Sequence, residues 1–278
     1  MPTRIVTLPS AVFSFVFYIA MLTHSTISSA AKYSLAIQPI LPQAELKKRF
    51  QPLADYLSQE TGQTIVITTQ RNFLFYWTKM RKNKKGFDLV LDAAHFTDYR
   101  VKTQGYTVLA KFPDTVSFSI VTSEDNFILD QEELIGLRVA TMPSPSLGAL
   151  RLEELFPNPV RTPLYIWERN TSVAVEKIVS GKIDAAIIPT RLASTYDNLN
   201  IVLTTEPVPH MALSASPDVP AEIAEKIRQA LLNANTKANG KKMLAKLKTD
   251  NFEAASSETY DGYANLLKDV FGYKAPAH

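Results

Sequence analysis

Apolar and polar positions alternate along this chain in two rhythms. Over residues 44–61, Leu46, Phe50, Leu53 and Leu57 recur at three- and four-residue steps, which predicts a helix burying one face, with Gly62 as its stop. The apolar runs on either side, 33–38 and 64–69, predict short strands. A helix over 73–82 and a strand over 87–91 follow, and 107–112 and 116–123 are strand-like and adjacent. A second series then begins with a short helix near 131–134, a strand over 137–141 and a loop at 142–147 that opens a helix running through Leu155. A strand over 160–166, a helix over 171–180 and strands over 183–188 and 201–204 complete it, and helical stretches over 221–247 and 259–271 finish the chain. Strands alternating with helices in this way make parallel sheets joined by right-handed crossovers.

One phrase occurs twice. In 75–92 (FYWTKMRKNKKGFDLVLD) and again in 174–189 (AVEKIVSGKIDAAIIP), a helical stretch runs through a Gly-containing turn into a buried strand, with Asp88 or Asp184 one residue inside it. The repetition predicts two similar α/β lobes with a cleft between them. The chain would leave the first lobe near 116–123 and return through the proline-rich segment 207–220, so that residues 32–115 and 208–278 form one lobe and 116–207 the other. Asp88 and Asp184 lie far from the ligand-facing ends of their strands and are read as structural, satisfying N–H groups of the turns before them.

The N-terminus changes where such a protein would work. Arg4 precedes an uncharged apolar run at 11–22 and a small-residue stretch at 25–31, the pattern of a cleavable secretory signal over 1–31. The run is shorter than the roughly 20 residues needed to span a bilayer, so no stable membrane insertion is expected after cleavage. The chain has no Cys, hence neither a lipid-modified Cys nor a disulfide. The formal net charge of +3 falls to +2 without Arg4, too little to bind nucleic acid on charge alone. The basic cluster at 79–85 reads as the solvated end of a helix. A soluble periplasmic monomer is the expectation.

Parallel sheets present ligand-contacting loops at the carboxyl ends of their strands. Those loops are 38–43, 92–96, 141–148 and 189–191, with helix starts near Asn72 and Asn170. The loop 141–148 (TMPSPSLG) offers the hydroxyls of Ser144 and Ser146 and opens a helix through Leu147 and Gly148, whose unsatisfied N–H groups would attract an anion. Capping its own helix is an equal reading of Ser146, and both roles are compatible. Asn170 and Thr171 open the next helix in the same two senses. Arg71, Arg169 and Arg191 lie at loop or helix starts, where a guanidinium grips phosphate or carboxylate bidentately, and His95 lies in a first-lobe loop. Phe73, Tyr76, Trp77 and Phe96 either wall a pocket or pack in the core. Nothing points to catalysis: there is no Cys nucleophile, HExxH, G-x-S-x-G elbow or P-loop. Of the four His, His24 lies in the signal and His278 at the terminus, and His95 and His210 alone make a poor metal site, so neither metal nor cofactor is expected.

Four segments, FQPLADYLSQETG (50–62), GFDLVLDAAHF (86–96), EELIGLRVATMPSPSLGAL (132–150) and AVEKIVSGKIDAAIIP, resemble the phosphate/phosphite/phosphonate-binding proteins of ABC importers. These are type II periplasmic binding proteins. The resemblance implies a two-lobed α/β Venus-flytrap, each lobe a mainly parallel sheet flanked by helices, that binds a small anion in its cleft and delivers it to an ABC permease. A sensor reporting to a membrane kinase is the alternative, and an enzyme on the same fold a further one. The family's serine-rich phosphonate loop falls on Ser144, Ser146 and Gly148, with Pro145 and Leu147 interrupting its Ser-Thr-Ser-Gly order. Its Asp-Tyr pair falls on Asn72 and Phe73, and its Gly-Ser-His near Arg169, Asn170 and Thr171, where no His stands. The expected ligand-binding set is therefore Ser144, Ser146, Leu147, Gly148, Asn170, Thr171, Arg169, Phe73, His95 and Arg191.

Overall fold

A computed structural model describes residues 1–3, 30–82 and 86–274. The proposed signal, save its ends, residues 83–85 of the basic cluster, and His278 lie outside the described residues.

From Lys32 onward the chain builds two five-stranded sheets. The first series runs β1 (Lys32–Ile37), α1 (Gln43–Thr61), β2 (Thr64–Thr68), α2 (Phe73–Lys82), β3 (Leu89–Asp92), α3 (Ala94–Gln104) and β4 (Thr107–Lys111). After β5 (Thr115–Val116) and β6 (Phe118–Ser123) the second series runs β7 (Arg138–Thr141), α4 (Leu147–Leu155), β8 (Leu164–Trp167), α5 (Thr171–Val179), β9 (Ala185–Pro189), α6 (Thr190–Ala193) and β10 (Leu199–Thr204). The chain returns through β11 (Val208–Pro209) into β12 (Ala212–Ala215), then α7 (Ala221–Leu232) and α8 (Ala238–Leu247).

The two sheets have one topology. Their orders are β2-β1-β3-β12-β4 and β10-β6-β9-β7-β8. In each, the strand second from one edge is parallel to both neighbours: β1 to β2 and β3, and β7 to β8 and β9. In each, one antiparallel strand is inserted, β12 between β3 and β4 and β6 between β9 and β10. These inserted strands are the ones entered from the crossing pair β5 and β11, which hydrogen-bond antiparallel through Val116 and Val208. A strand that enters a lobe from the hinge runs opposite to those built by helical crossovers, which explains the mixed sheets.

Local pattern accounts for most elements. Leu46, Phe50, Leu53 and Leu57 of α1 are buried as their spacing requires, each contributing about 1.5–3 kcal/mol of burial. Gly62 ends the helix with φ 70°, a left-handed conformation that suits glycine, and its N–H donates to Ser58 O. The repeated aspartates do the same work in both lobes, but their partners are strand amides rather than turn amides. Asp88 Oδ2 accepts from Ser34 N at 2.7 Å, in β1; Asp184 Oδ2 accepts from Arg138 N at 2.7 Å, in β7. Each ties the start of its own strand, β3 or β9, to the parallel strand beside it, β1 or β7.

Three expectations differ from the structure. Residues 94–104, read in part as a loop, form α3, because Ala94 through Arg100 are all buried and no one-sided apolar stripe marks the helix. The strand expected over 160–166 is β8 and begins only at Leu164, after Pro163, which lacks the N–H a ladder needs. The C-terminal helix expected over 259–271 is instead three 3-10 turns, Ser257–Tyr260, Tyr263–Leu267 and Val270–Gly272, broken by left-handed Gly262 and Asp269. These turns pack on α3, where Asp98 Oδ2 accepts from Ala264 N at 2.7 Å.

Candidate functional site

The carboxyl ends of both parallel series meet at one cleft of about 560 Å³. Strand order arranges its walls as a sequence outward from the hinge. In the first lobe come Phe112 and Pro113 after β4, His210 and Met211 before β12, Ala93 after β3, Gln38 after β1 and Phe73 after β2. In the second lobe come Arg191 after β9, then Thr141, Met142 and Ser146 to Gly148 after β7, then Thr171 after β8. With about 5 Å between strands, the first-lobe wall extends roughly 20 Å.

Six of the ten expected residues line this cleft: Phe73, Ser146, Leu147, Gly148, Thr171 and Arg191. The other four do not. Ser144 faces a separate hollow of about 380 Å³ beside Glu153, Tyr165 and Trp167, and bonds Glu153. Asn170 Oδ1 caps α5 by accepting from Val173 N at 3.0 Å, and Arg169 is exposed. His95 sits not in a loop but in the first turn of α3, fully buried, with Nε2 3.0 Å from Pro145 O of the opposite lobe. Since that carbonyl only accepts, Nε2 carries the proton and the ring is a neutral donor across the lobes. Burial pushes its pKa down to about 3, against the hydrogen bond to Pro145.

Two helix N-termini border the cleft, at Leu147 and Gly148 of α4 and at Thr171 of α5. Ser146 Oγ accepts from Ala149 N at 3.2 Å and donates to Met142 O at 2.9 Å, so it caps α4 while the amides of Leu147 and Gly148 keep no acceptor among the described residues. The cap from Asn170 likewise leaves the amides of Thr171 and Ser172 unspent. At both ends the cap takes up one amide and leaves the first two of the helix as possible donors. Gly148 also has a packing reason, since a Cβ there would stand 3.2 Å from the Phe118 ring.

Several cleft residues escaped the sequence reading. Gln38 Oε1 accepts from Ala93 N at 3.1 Å, fixing the turn into α3. His210 Nδ1 accepts from Met211 N at 2.7 Å, which leaves the proton on Nε2. Burial, then the charges of Lys111 and Arg191, push its pKa down to about 4. Arg49, from the middle of α1, donates to Leu247 O at 2.5 Å, and Lys248 follows α8. Arg49, Arg191 and Lys248 make no ion pair among the described residues. No Asp or Glu is among the described residues lining the cleft. The remaining walls are apolar, including Ile40, Phe118, Met142, Ile187 and Met211.

Beneath Ala93, a buried polar network sets the floor. Arg100 Nε donates to Asp92 Oδ2 at 2.7 Å, Tyr76 hydroxyl donates to Asp92 Oδ1, and Arg100 Nη2 reaches the Tyr76 oxygen at 3.3 Å. Burial raises the pKa of Asp92 while Arg100 pulls it down. Among the described residues no cluster of three His, Asp or Glu could hold a metal, and no helix is long and apolar enough to cross a membrane. The arrangement can hold an anion with an apolar body.

The profile of the family described as "ABC transporter, phosphonate, periplasmic substrate-binding protein" matches residues 35–260. No curated protein sequence matches the chain. Among solved structures, PhnD1 from Prochlorococcus marinus in complex with methylphosphonate is 17% identical with a TM-score of 0.73, over 87% of this chain and 99% of that one. A binding protein component of an ABC phosphonate transporter from Pseudomonas aeruginosa is 15% identical with a TM-score of 0.71, over 86% of each chain. A Xanthomonas citri protein bound to ATP is 14% identical with a TM-score of 0.69, over 85% of this chain and 96% of that one. Family, two-lobed fold and cleft coincide: the chain belongs to the periplasmic substrate-binding proteins of phosphonate ABC transporters.

Proposed function

We propose that this protein captures a phosphonate- or phosphate-like oxyanion between its lobes and passes it unaltered to an ABC permease. The observation that carries the reading is the charge of the cleft: three unpaired cations and two sets of unspent helix amides, with no lining carboxylate among the described residues. An oxyanion placed on the Leu147, Gly148, Thr171 and Ser172 amides meets both helix dipoles at their positive ends. Lobe closure about β5 and β11 would bring Phe73 and Gln38 over it, with residues 32–115 and 208–278 moving against 116–207. The amides supply donors that the interrupted serine loop lacks, so Ser146 acts chiefly by capping. Secretion by a signal cleaved near Ala31, a monomeric state and import rather than sensing complete the proposal.

Calorimetry with methylphosphonate, phosphate, phosphite, methylsulfonate and acetate tests it. A phosphorus oxyanion is expected to bind best, and Gly148→Ala to weaken it by crowding Phe118 and the amide cradle. Ser144→Ala, facing the other hollow, is expected to leave affinity unchanged. Failure of every oxyanion to bind, or release of a chemically altered ligand, would refute the reading.

A further inference from the structure

The cations of the cleft do not stand where the helix amides do. Arg191 follows β9, the strand next to hinge-fed β6, and its helix starts at Thr190, whose hydroxyl accepts from Ser117 immediately after β5 at 2.9 Å. His210 immediately follows β11, the partner of β5. Lys248 precedes the segment whose Glu253 bridges to Lys111 at the end of β4, and Arg49 is tied to Leu247 beside it. All four belong to the hinge side. Thr171, at the start of α5, is two strand spacings from the Arg191 helix start, about 10 Å, and Phe73 lies at the opposite edge of the first sheet. The rest of the lining includes the apolar side chains of Ala93, Phe118, Met142, Ile187 and Met211.

We infer that the hinge end is a second anion subsite, built by Arg49, Arg191, His210 and Lys248, and that the preferred ligand is an elongated organic dianion. One acidic group rests on the helix amides, a short apolar spacer lies against the middle walls, and a carboxylate or second phosphorus oxyanion reaches the hinge cations. This rests on the oxyanion reading of the helix end. The physical reason is that three side-chain charges lacking a carboxylate partner repel one another until a ligand supplies one, and both lobes contribute, so the second acidic group also favours closure. The neutral His210, its Nδ1 held by the Met211 amide, adds an N–H donor without adding charge.

The test is calorimetry on the mature chain with pairs of equal length: propylphosphonate against 3-phosphonopropionate, and butyl- and pentylphosphonate against their ω-carboxylate counterparts, with methylphosphonate as the short reference. In at least one pair the phosphonocarboxylate is expected to bind roughly tenfold tighter or more, the effect of one or two charged hydrogen bonds. Arg191→Gln and Lys248→Asn, both at exposed positions, are expected to bring that ratio toward one. Methylphosphonate binding with no preference for the carboxylate in any pair overturns this inference and leaves the oxyanion reading standing. A preference that survives both substitutions and Arg49→Gln also overturns it. Failure of every phosphonate to bind overturns this inference, and failure of phosphate and phosphite as well overturns the oxyanion reading with it.

Discussion

Removing the guanidinium of Arg100 is the sharpest test of how the cleft floor is held. Asp92 is fully buried and Arg100 is 1% exposed, so Arg100→Met leaves a carboxylate in the interior with the Tyr76 hydroxyl as its remaining side-chain partner. A charge pair at about 4 Å in an effective dielectric near 20 interacts by about 4 kcal/mol, and breaking buried pairs from one side costs about 3–5 kcal/mol. At roughly 2–4 °C per kcal/mol for a protein of this size, the melting temperature should fall by about 6–20 °C in a calorimetric scan at neutral pH. The sign of the pH dependence follows from the same burial. Without Arg100 the native Asp92 pKa rises further above its unfolded value near 3.9, so the folded state holds an extra proton between the two, and the variant loses stability as pH rises through that window. The deficit relative to the parent should therefore narrow at about pH 4. Adding Asp92→Asn should restore about 2 kcal/mol or more, since it removes the orphaned charge and keeps a group for Tyr76. A neutral-pH shift under about 2 °C, or a deficit that does not narrow in acid, would sink the argument.

The repeated aspartates predict matched effects: Asp88→Ala and Asp184→Ala should each cost about 1–2 kcal/mol in urea unfolding, because each leaves the amide of Ser34 or Arg138 without its carboxylate acceptor. If only one lobe responds, the repeat is not functional in the sense argued. Burial of His95 and His210 holds their folded pKa at about 3 and about 4, while the unfolded chain protonates near 6.5. Stability should consequently fall as pH drops below about 6.5, by up to about 1.4 kcal/mol per unit for each ring, and His95→Gln should flatten the slope between pH 7 and 5. An unchanged slope would mean His95 is not buried as described.

What the sequence by itself determined is whatever depends on neighbours along the chain. The stripe of Leu46, Phe50, Leu53 and Leu57, the stop at Gly62 and the twofold helix–turn–strand phrase around Asp88 and Asp184 record local geometry, and they were enough to place the elements of two similar lobes and the loop that opens α4. Helix α3 is not legible because tertiary packing buries every residue from Ala94 to Arg100, erasing the one-sided pattern on which the reading depends. Ser144 and Ser146 are two residues apart, yet one faces the hollow beside Glu153 and the other the cleft, a difference of backbone direction that composition does not carry. Arg49, His210 and Lys248 reach the cleft from a helix interior, a return crossing and a helix end. Only the folding of the C-terminal segment onto the first lobe brings their charges together, because electrostatic fields depend on distance through space and not along the chain.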